Sequence, residues 1–74
     1  MAKLTKLQRS NNAHNRLCKK HDKIRMSTKG RAHDIAFVKM NYHSRVAYTQ
    51  AKIGRVLSKD EKRKAYSTVI TEFY

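Results

Sequence analysis

The chain contains no proline and only two glycines, Gly30 and Gly54, in its 74 residues. Proline and glycine are the residues that most often end helices, interrupt strands and form tight turns. Because they are nearly absent, helix is the structure that the sequence favours along most of its length. The two glycines divide the chain into segments of about 1–29, 31–53 and 58–74.

The last segment carries the clearest helix start in the sequence. Ser58 is followed three residues later by Glu61, which is the spacing of a capping box, where each side chain satisfies a backbone amide of the first turn. We therefore predict a helix that begins at Lys59 and runs to about residue 73. At 100° per residue its apolar side chains form one stripe, so this helix needs a surface to pack on. The stripe consists of Ala65, Tyr66, Val69, Ile70 and Phe73.

The middle segment is apolar on two opposite sides, and a helix with two apolar sides is usually a central one. One side contains Ile35, Val38, Tyr42, Val46, Thr49 and Ile53. The other contains Ala36, Met40, Ala47 and Ala51, with Phe37 and Tyr48 at its edge. Two polar seams separate them, namely Asn41, Arg45 and Lys52, and Lys39, His43 and Gln50. The helix is expected to pack between other helices, or between a neighbour and a second copy of the chain, and Gly54 is expected to end it in a left-handed cap.

These patterns predict an all-α fold, either a small helical hairpin or a three-helix arrangement, as a monomer or a homodimer. The hairpin comprises residues 31–74, with helices at about 31–53 and 59–73. Residues 1–30 are predicted to be a basic N-terminal arm, where Asn11, His14 and His21 interrupt the stripe of Leu4, Leu7, Leu17 and Ile24. Such an arm is either a weak helix stabilised by contact or a partly disordered tail.

Charge is the second strong constraint, because 18 Lys and Arg against five Asp and Glu give a net charge of +13. Residues 1–33 contain ten basic residues and one acid, whereas residues 34–74 contain eight and four. So many like charges oppose compaction, and only 14 of the 74 residues are Leu, Ile, Val or Phe. The charge is therefore better matched to a polyanionic partner than to solubility alone.

The function predicted from this charge is that of a small non-catalytic basic protein, an accessory or regulatory factor, which binds nucleic acid, DNA or RNA. Binding is expected to be largely to the phosphate backbone. A helix-turn-helix around Gly54 is not favoured, because its reading helix would present Asp60 and Glu61 to the nucleic acid. The candidate contact residues are Lys3, Lys6, Arg9, Arg16, Lys19, Lys20, Lys23, Arg25, Lys29 and Arg31, followed by Arg45, Lys52, Arg55, Lys62 and Arg63.

Two other functions fit the same charge. The chain is alternatively a protein-binding regulator or inhibitor, of the kind that viruses or plasmids encode, which docks on an acidic or nucleic-acid-facing surface of a larger machine. It is otherwise a small component of a ribonucleoprotein. The feature that would favour the protein-binding alternative is an exposed apolar stripe flanked by cations.

Metal and cofactor sites are not predicted. His14, Cys18 and His21 share one helix face and, with His33, could be drawn as a zinc site. The paired cysteines of structural zinc motifs are missing, and the neighbouring lysines would repel a dication. No cofactor motif is present, so we predict neither a metal nor a cofactor.

Catalysis is not predicted either, because no pair of acids or glycine-rich phosphate loop is visible. Lys19, Lys20 and His21 beside Cys18 suggest a thiol of lowered pKa. This is a hypothesis about reactivity only, and the chain is not expected to be an enzyme.

The cellular setting is predicted from the single cysteine and from the short apolar runs. One cysteine cannot form an intramolecular disulfide, which favours a reducing compartment. The longest apolar run, residues 35–38, is much too short to cross a bilayer. A cytoplasmic protein with no membrane partner is expected.

Overall fold

The computed structural model describes residues 3–73, which form three helices and, within that range, no strand. Helix α1 comprises Lys6–Ser27, α2 comprises Arg31–Ile53 and α3 comprises Lys59–Phe73. The predicted all-α class is confirmed in its three-helix form.

Helix α2 is the central element, as its two apolar sides predict. Both α1 and α3 pack on it, whereas no Cα atoms of α1 and α3 lie within 8 Å of each other over the described residues. On one side, Gln50 and His43 contact α1. About 120° to 140° around α2 from these two residues, Phe37 contacts Phe73 of α3. The chain therefore folds as two helix pairs that share α2.

The core is small, as the low content of large aliphatic residues predicts. Its buried apolar members are Ala36, Val38, Val46, Ala47, Leu57 and Val69. Four of these six come from α2, one from α3 and one from the link between them, and no residue of α1 is buried. The structure thus holds α1 in place with half-buried side chains alone.

The ends of α2 and α3 follow their sequence signals. Gly54 has φ 75° and ψ 20°, and its N–H donates to the carbonyl of Gln50 at 2.9 Å, which is the predicted left-handed cap. The amide of Glu61 donates to Ser58 Oγ at 3.2 Å, and the Ser58 amide donates to Glu61 Oε1 at 3.0 Å. This reciprocal pair is the predicted capping box, and α3 begins at Lys59.

Helix α1 begins with a second capping box that the sequence analysis missed. The Gln8 amide donates to the Thr5 hydroxyl at 3.1 Å, and the Thr5 amide donates to Gln8 Oε1 at 2.9 Å. The same spacing of three residues was present in the sequence, with glutamine in place of glutamate. Of the two alternatives for the first segment, the structure has the helix.

Gln50 was assigned to a polar seam, and the structure corrects that assignment. Its side chain is fully buried. Its Nε2 donates to Asn11 Oδ1 at 2.9 Å and to Ser10 Oγ at 3.1 Å, while its Oε1 accepts from the Leu57 amide at 3.1 Å. Burial is tolerated because both ends of the amide have partners on α1 and on the α2–α3 link.

The apolar stripes of α2 are only partly covered, which also departs from the prediction. Ile35 is 46% exposed, Ile53 45% and Tyr48 70%, and Ala51 is exposed as well. Helix α3 has 15 residues against 23 in α2, so it spans about two thirds of the length of α2. The ends of the α2 stripe therefore remain in contact with water.

Candidate nucleic-acid interface

The outer face of α1 carries a row of cations, which we call the cationic ridge: Arg9, Arg16, Lys19, Lys20 and Lys23. All five are exposed. At 100° per residue they fall within an arc of about 100°, opposite the half-buried face that packs on α2. The inner face consists of Leu7, Ser10, Asn11, His14, Leu17, Cys18, His21 and Arg25.

The cationic ridge is long and carries no acid. From Arg9 to Lys23 it extends for about 21 Å along α1. The one acid of α1, Asp22, lies towards the inner face and is paired with Arg25 at 2.8 Å. None of the five ridge cations forms an ion pair with a described residue, so their charge is available to a partner. Successive phosphates of a duplex strand advance by about 3.4 Å along the axis, so the ridge runs beside roughly six of them.

Three predicted contact arginines have carboxylate partners in the fold. Their charge is partly neutralised, and they rank below the ridge as sites for phosphate. The ion pairs are Arg25 with Asp22 at 2.8 Å, Arg45 with Glu72 at 2.6 Å, and Arg55 with Glu61 at 2.8 Å. The two Arg55–Glu61 bonds lower the pKa of Glu61 to about 2.

The remaining predicted cations are distributed over the surface and do not form a second row. Lys3 precedes α1 and Lys6 begins it, while Lys29 precedes α2 and Arg31 begins it. Lys52 belongs to α2, and Lys62 and Arg63 belong to α3. All seven are exposed except Lys62, which is half-buried.

Beside the inner face of α1 lies a group of imidazoles, the histidine cluster, made of His14, His21 and His43. The Nδ1 atoms of His14 and His43 are 2.8 Å apart, a hydrogen bond in which one ring donates and the other accepts. The ring of His21 stacks on that of His43 with centroids 5.7 Å apart and planes 4° apart. Tyr42 packs against His43 at 5.0 Å and against Tyr66 of α3 at 5.4 Å.

The surroundings of the histidine cluster disfavour its protonated form. Burial, the other two imidazoles, and the ammonium groups of Lys39 and Lys62 together lower the pKa of His43 to about 4. Burial and Lys62 lower the pKa of His14. Burial, Lys39 and Lys20 lower the pKa of His21. The cluster is therefore neutral at pH 7.

The histidine cluster differs from the four-residue zinc site considered in the sequence. His14 and His21 share a face of α1 as their spacing indicates, but the third ring is His43. His33 instead stacks on Phe37 with centroids 6.3 Å apart. Within residues 3–73, no group of three or more His, Cys, Asp or Glu is arranged to hold a metal ion. Sequence reasoning missed His43 because nothing in its own segment marks which helix it faces.

The hypothesis that Cys18 has a lowered thiol pKa is wrong. Burial and the nearby carboxylate of Asp22 both raise its pKa. The sequence neighbours Lys19 and Lys20 are exposed on a different side of α1 and are not among the groups that shift the pKa of this thiol. The thiol is half-buried and is not activated as a nucleophile.

An open groove of about 680 Å³ lies between α2 and α3, on a different side of the molecule from the cationic ridge. Phe37, Tyr48, Val69 and Phe73 contribute its apolar and aromatic surface. The rings of Phe37 and Phe73 are 5.2 Å apart. This groove is the nearest feature in the described chain to the exposed apolar stripe that the protein-binding alternative requires.

Two further observations bear on the setting of this interface. Among the described helices, none has a stretch long and apolar enough to span a bilayer. Compared with known protein families, with curated proteins and with solved structures, the chain has no match.

Proposed function

We propose that this protein is a small non-catalytic nucleic-acid-binding protein, an accessory or regulatory factor that lays the cationic ridge of α1 along a phosphate backbone. The observation that carries the proposal is the segregation of charge on α1. Five exposed cations lie on one face of the helix, with no acid among them and no ion pair to a described residue.

Three of the predicted contact arginines are less suited to phosphate than the ridge is. Away from the ridge, Arg25, Arg45 and Arg55 are bound to carboxylates of the same chain. A cation already paired releases less binding free energy when it meets a phosphate, because the internal pair must be broken or shared. The ridge cations have no carboxylate partner among the described residues, although Arg9 donates to the Leu4 carbonyl at 3.3 Å, so they mainly exchange condensed counterions, the process that drives backbone binding.

Helix α1 also presents the ridge in a fixed arrangement. Its first turn is held by the Thr5–Gln8 capping box, and its inner face is bonded to Gln50 of α2. The spacing of the ridge cations is thus set before a partner arrives, which lowers the entropic cost of binding. Since lysine and arginine on a regular helix read charge and shape, binding is proposed to be to the backbone.

The test is a salt titration of binding to duplex DNA, single-stranded DNA and structured RNA, comparing two double variants. Lys19→Gln/Lys23→Gln removes two ridge charges, and Lys59→Gln/Lys64→Gln removes two exposed lysines of α3. For duplex DNA we expect the slope of log K against log salt to fall by about 2 in the ridge variant. The α3 variant is expected to change it by less than about half a unit.

An equal loss of slope in the two variants would overturn the assignment to α1. Absence of binding to all three nucleic acids at low salt would overturn the proposal itself. The partner would then be an acidic protein surface, and the groove at Tyr48 would be the part of the molecule to examine.

A further inference from the structure

Lysines from all three helices surround the histidine cluster. Lys20 of α1, Lys39 of α2 and Lys62 of α3 each lie close enough to lower the pKa of at least one of its imidazoles. No carboxylate is among the groups that perturb those three rings. All three helices therefore contribute lysines or imidazoles to the histidine cluster, and no carboxylate of the described residues balances their charge there.

Such a concentration of like charge is costly unless an anion occupies it. We propose that the histidine cluster, with Lys20, Lys39 and Lys62, binds a phosphate group, and that the binding takes up a proton. When the phosphate belongs to a nucleic-acid backbone, this inference rests on the proposed function and adds a second, proton-linked contact beside the cationic ridge. When the ligand is a free oxyanion, the inference does not depend on the proposed function.

The hydrogen bond between His14 and His43 determines how many protons the pair accepts. In the neutral pair, one ring donates its Nδ1–H to the bare Nδ1 of the other, 2.8 Å away. The donor ring can gain a proton at Nε2 and keep this bond. A second proton would have to enter the remaining Nδ1, where two N–H groups would oppose each other. The pair therefore takes up one proton with its geometry intact, and the new N–H is available to an oxyanion.

The direction of the pH dependence follows from the free protein. In the absence of an anion, burial and the surrounding cations lower the pKa of all three imidazoles, and that of His43 to about 4. A bound oxyanion cancels part of that field and raises the pKa of the cluster. Between the free and bound pKa values, the complex holds more protons than its separate parts, so affinity rises as pH falls from 7 to 5.

The other charged and polar groups near the cluster do not reproduce this behaviour. Lysine and arginine stay protonated throughout that range, and tyrosine stays neutral. Asp22, the closest acid along α1, is already paired with Arg25. The groups facing the cluster are Lys20 on α1, Lys39 and Tyr42 on α2, and Lys62 and Tyr66 on α3.

The experiment follows the four imidazoles by NMR from pH 4 to 8, with a chelator present, in the free protein and with two probes. Sulfate is a tetrahedral oxyanion whose charge is constant over this range, unlike a phosphate monoester, whose second pKa is near 6. A short thymidine oligonucleotide supplies phosphodiesters of constant charge. We expect either probe to raise the pKa of the His14–His43 pair by about two units and to change the His33 signals much less.

Binding to the oligonucleotide should tighten by about tenfold between pH 7 and pH 5, which corresponds to less than one proton per site across that interval. Lys39→Gln/Lys62→Gln should remove most of this pH dependence and raise the pKa of His43 in the free protein. Both lysines are polar surface-facing side chains, so the fold should survive the change. His33→Gln is the matched control, and it should leave the pH dependence unchanged.

The outcome separates this site from the ridge. If Lys19→Gln/Lys23→Gln reduces the salt slope while the tightening at low pH persists, both contacts are supported. If sulfate raises the imidazole pKa but the ridge variant binds like the original chain, the oxyanion site stands and the ridge proposal fails. Imidazole pKa values that neither probe changes would overturn the inference, as would equal shifts at His33 and His43.

Discussion

The two sides of α2 are packed with opposite chemistry. Towards α1 the contacts are polar: Gln50 bonds Ser10 and Asn11, and His43 bonds His14. Towards α3 they are aromatic and aliphatic: Phe37 meets Phe73, Tyr42 meets Tyr66, and Val69 is buried. Helix α2 is thus joined to α1 by partly buried hydrogen bonds, whereas it meets α3 mainly through apolar side chains and a more exposed ion pair, Arg45–Glu72.

The difference shows how a chain with few large aliphatic residues positions a highly charged helix. An apolar interface tolerates sliding by a turn, whereas a buried amide is satisfied only in one register. Gln50 meets donors and acceptors on α1 and on the α2–α3 link at the same time. The polar side therefore specifies where α1 lies.

The largest effect is expected from Gln50→Ala, which breaks the polar side. The change leaves the Leu57 amide and the Asn11 side chain without their buried partner and opens a cavity. We expect a loss of about 3 kcal/mol in the free energy of unfolding, measured by urea denaturation. Lys52→Ala, at an exposed position two residues further along the same helix, is the control and should change it by less than about 0.5 kcal/mol. A loss for Gln50→Ala as small as the control's would show that the polar network adds no stability.

The apolar side is tested by Val69→Ala, with an expected loss of about 2 kcal/mol. Val69 is 5% exposed, and removing two methyl groups there deletes contact with α2. The same urea experiment measures the change, and Thr68→Ala on the exposed face of α3 serves as control. A loss clearly greater than that of Gln50→Ala would reverse the comparison and make the apolar side the dominant one.

The third prediction concerns acid, which should act mainly on the polar side between pH 6.5 and pH 4.5. The pKa of His43 is about 4 in the folded chain and about 6.5 when unfolded, so between these values the unfolded chain binds more protons. Stability is therefore lost as pH falls from 6.5 to 4, by about 1 to 2 kcal/mol after allowance for the partial exposure of the site. Urea denaturation at pH 7 and pH 4.5 measures this loss.

The matched variants for the acid prediction are His43→Gln and His33→Gln. The first should flatten the pH dependence, and the second should retain it. An unchanged pH dependence in His43→Gln would place the sensitive group elsewhere. Sulfate should also reduce the loss, because an oxyanion at the histidine cluster favours its protonated form.

Much of the secondary structure followed from the sequence because its causes are local. The Gly54 cap and the Ser58–Glu61 capping box each depend on residues within one turn, and both formed as predicted. The Thr5–Gln8 box had the same local cause and went unrecognised only because glutamine replaced glutamate. The central position of α2 likewise followed from its two apolar sides, since helical periodicity depends on the backbone alone.

The candidate nucleic-acid interface was less predictable, because the sequence gives the number of charged residues but not which of them form ion pairs in the fold. Arg25 ranked with the ridge cations and Arg45 and Arg55 ranked second, but the fold pairs all three with carboxylates, those of Asp22, Glu72 and Glu61. Of these pairs, Arg45–Glu72 spans two helices and depends on how α3 crosses α2. The ridge itself needed only the helical repeat of α1 and the identity of its inner face.

By itself, the sequence determined that this chain is helical, where α2 ends and α3 begins, and that positive charge concentrates before residue 34. Only the tertiary structure decided that Gln50 is buried, that His43 joins His14 and His21, and that the ridge cations form no ion pair with residues 3–73. The physical reason is the separation along the chain of the residues that interact. Caps and helical faces are fixed by neighbours within a few residues, whereas hydrogen bonds and ion pairs between helices depend on which faces pack together.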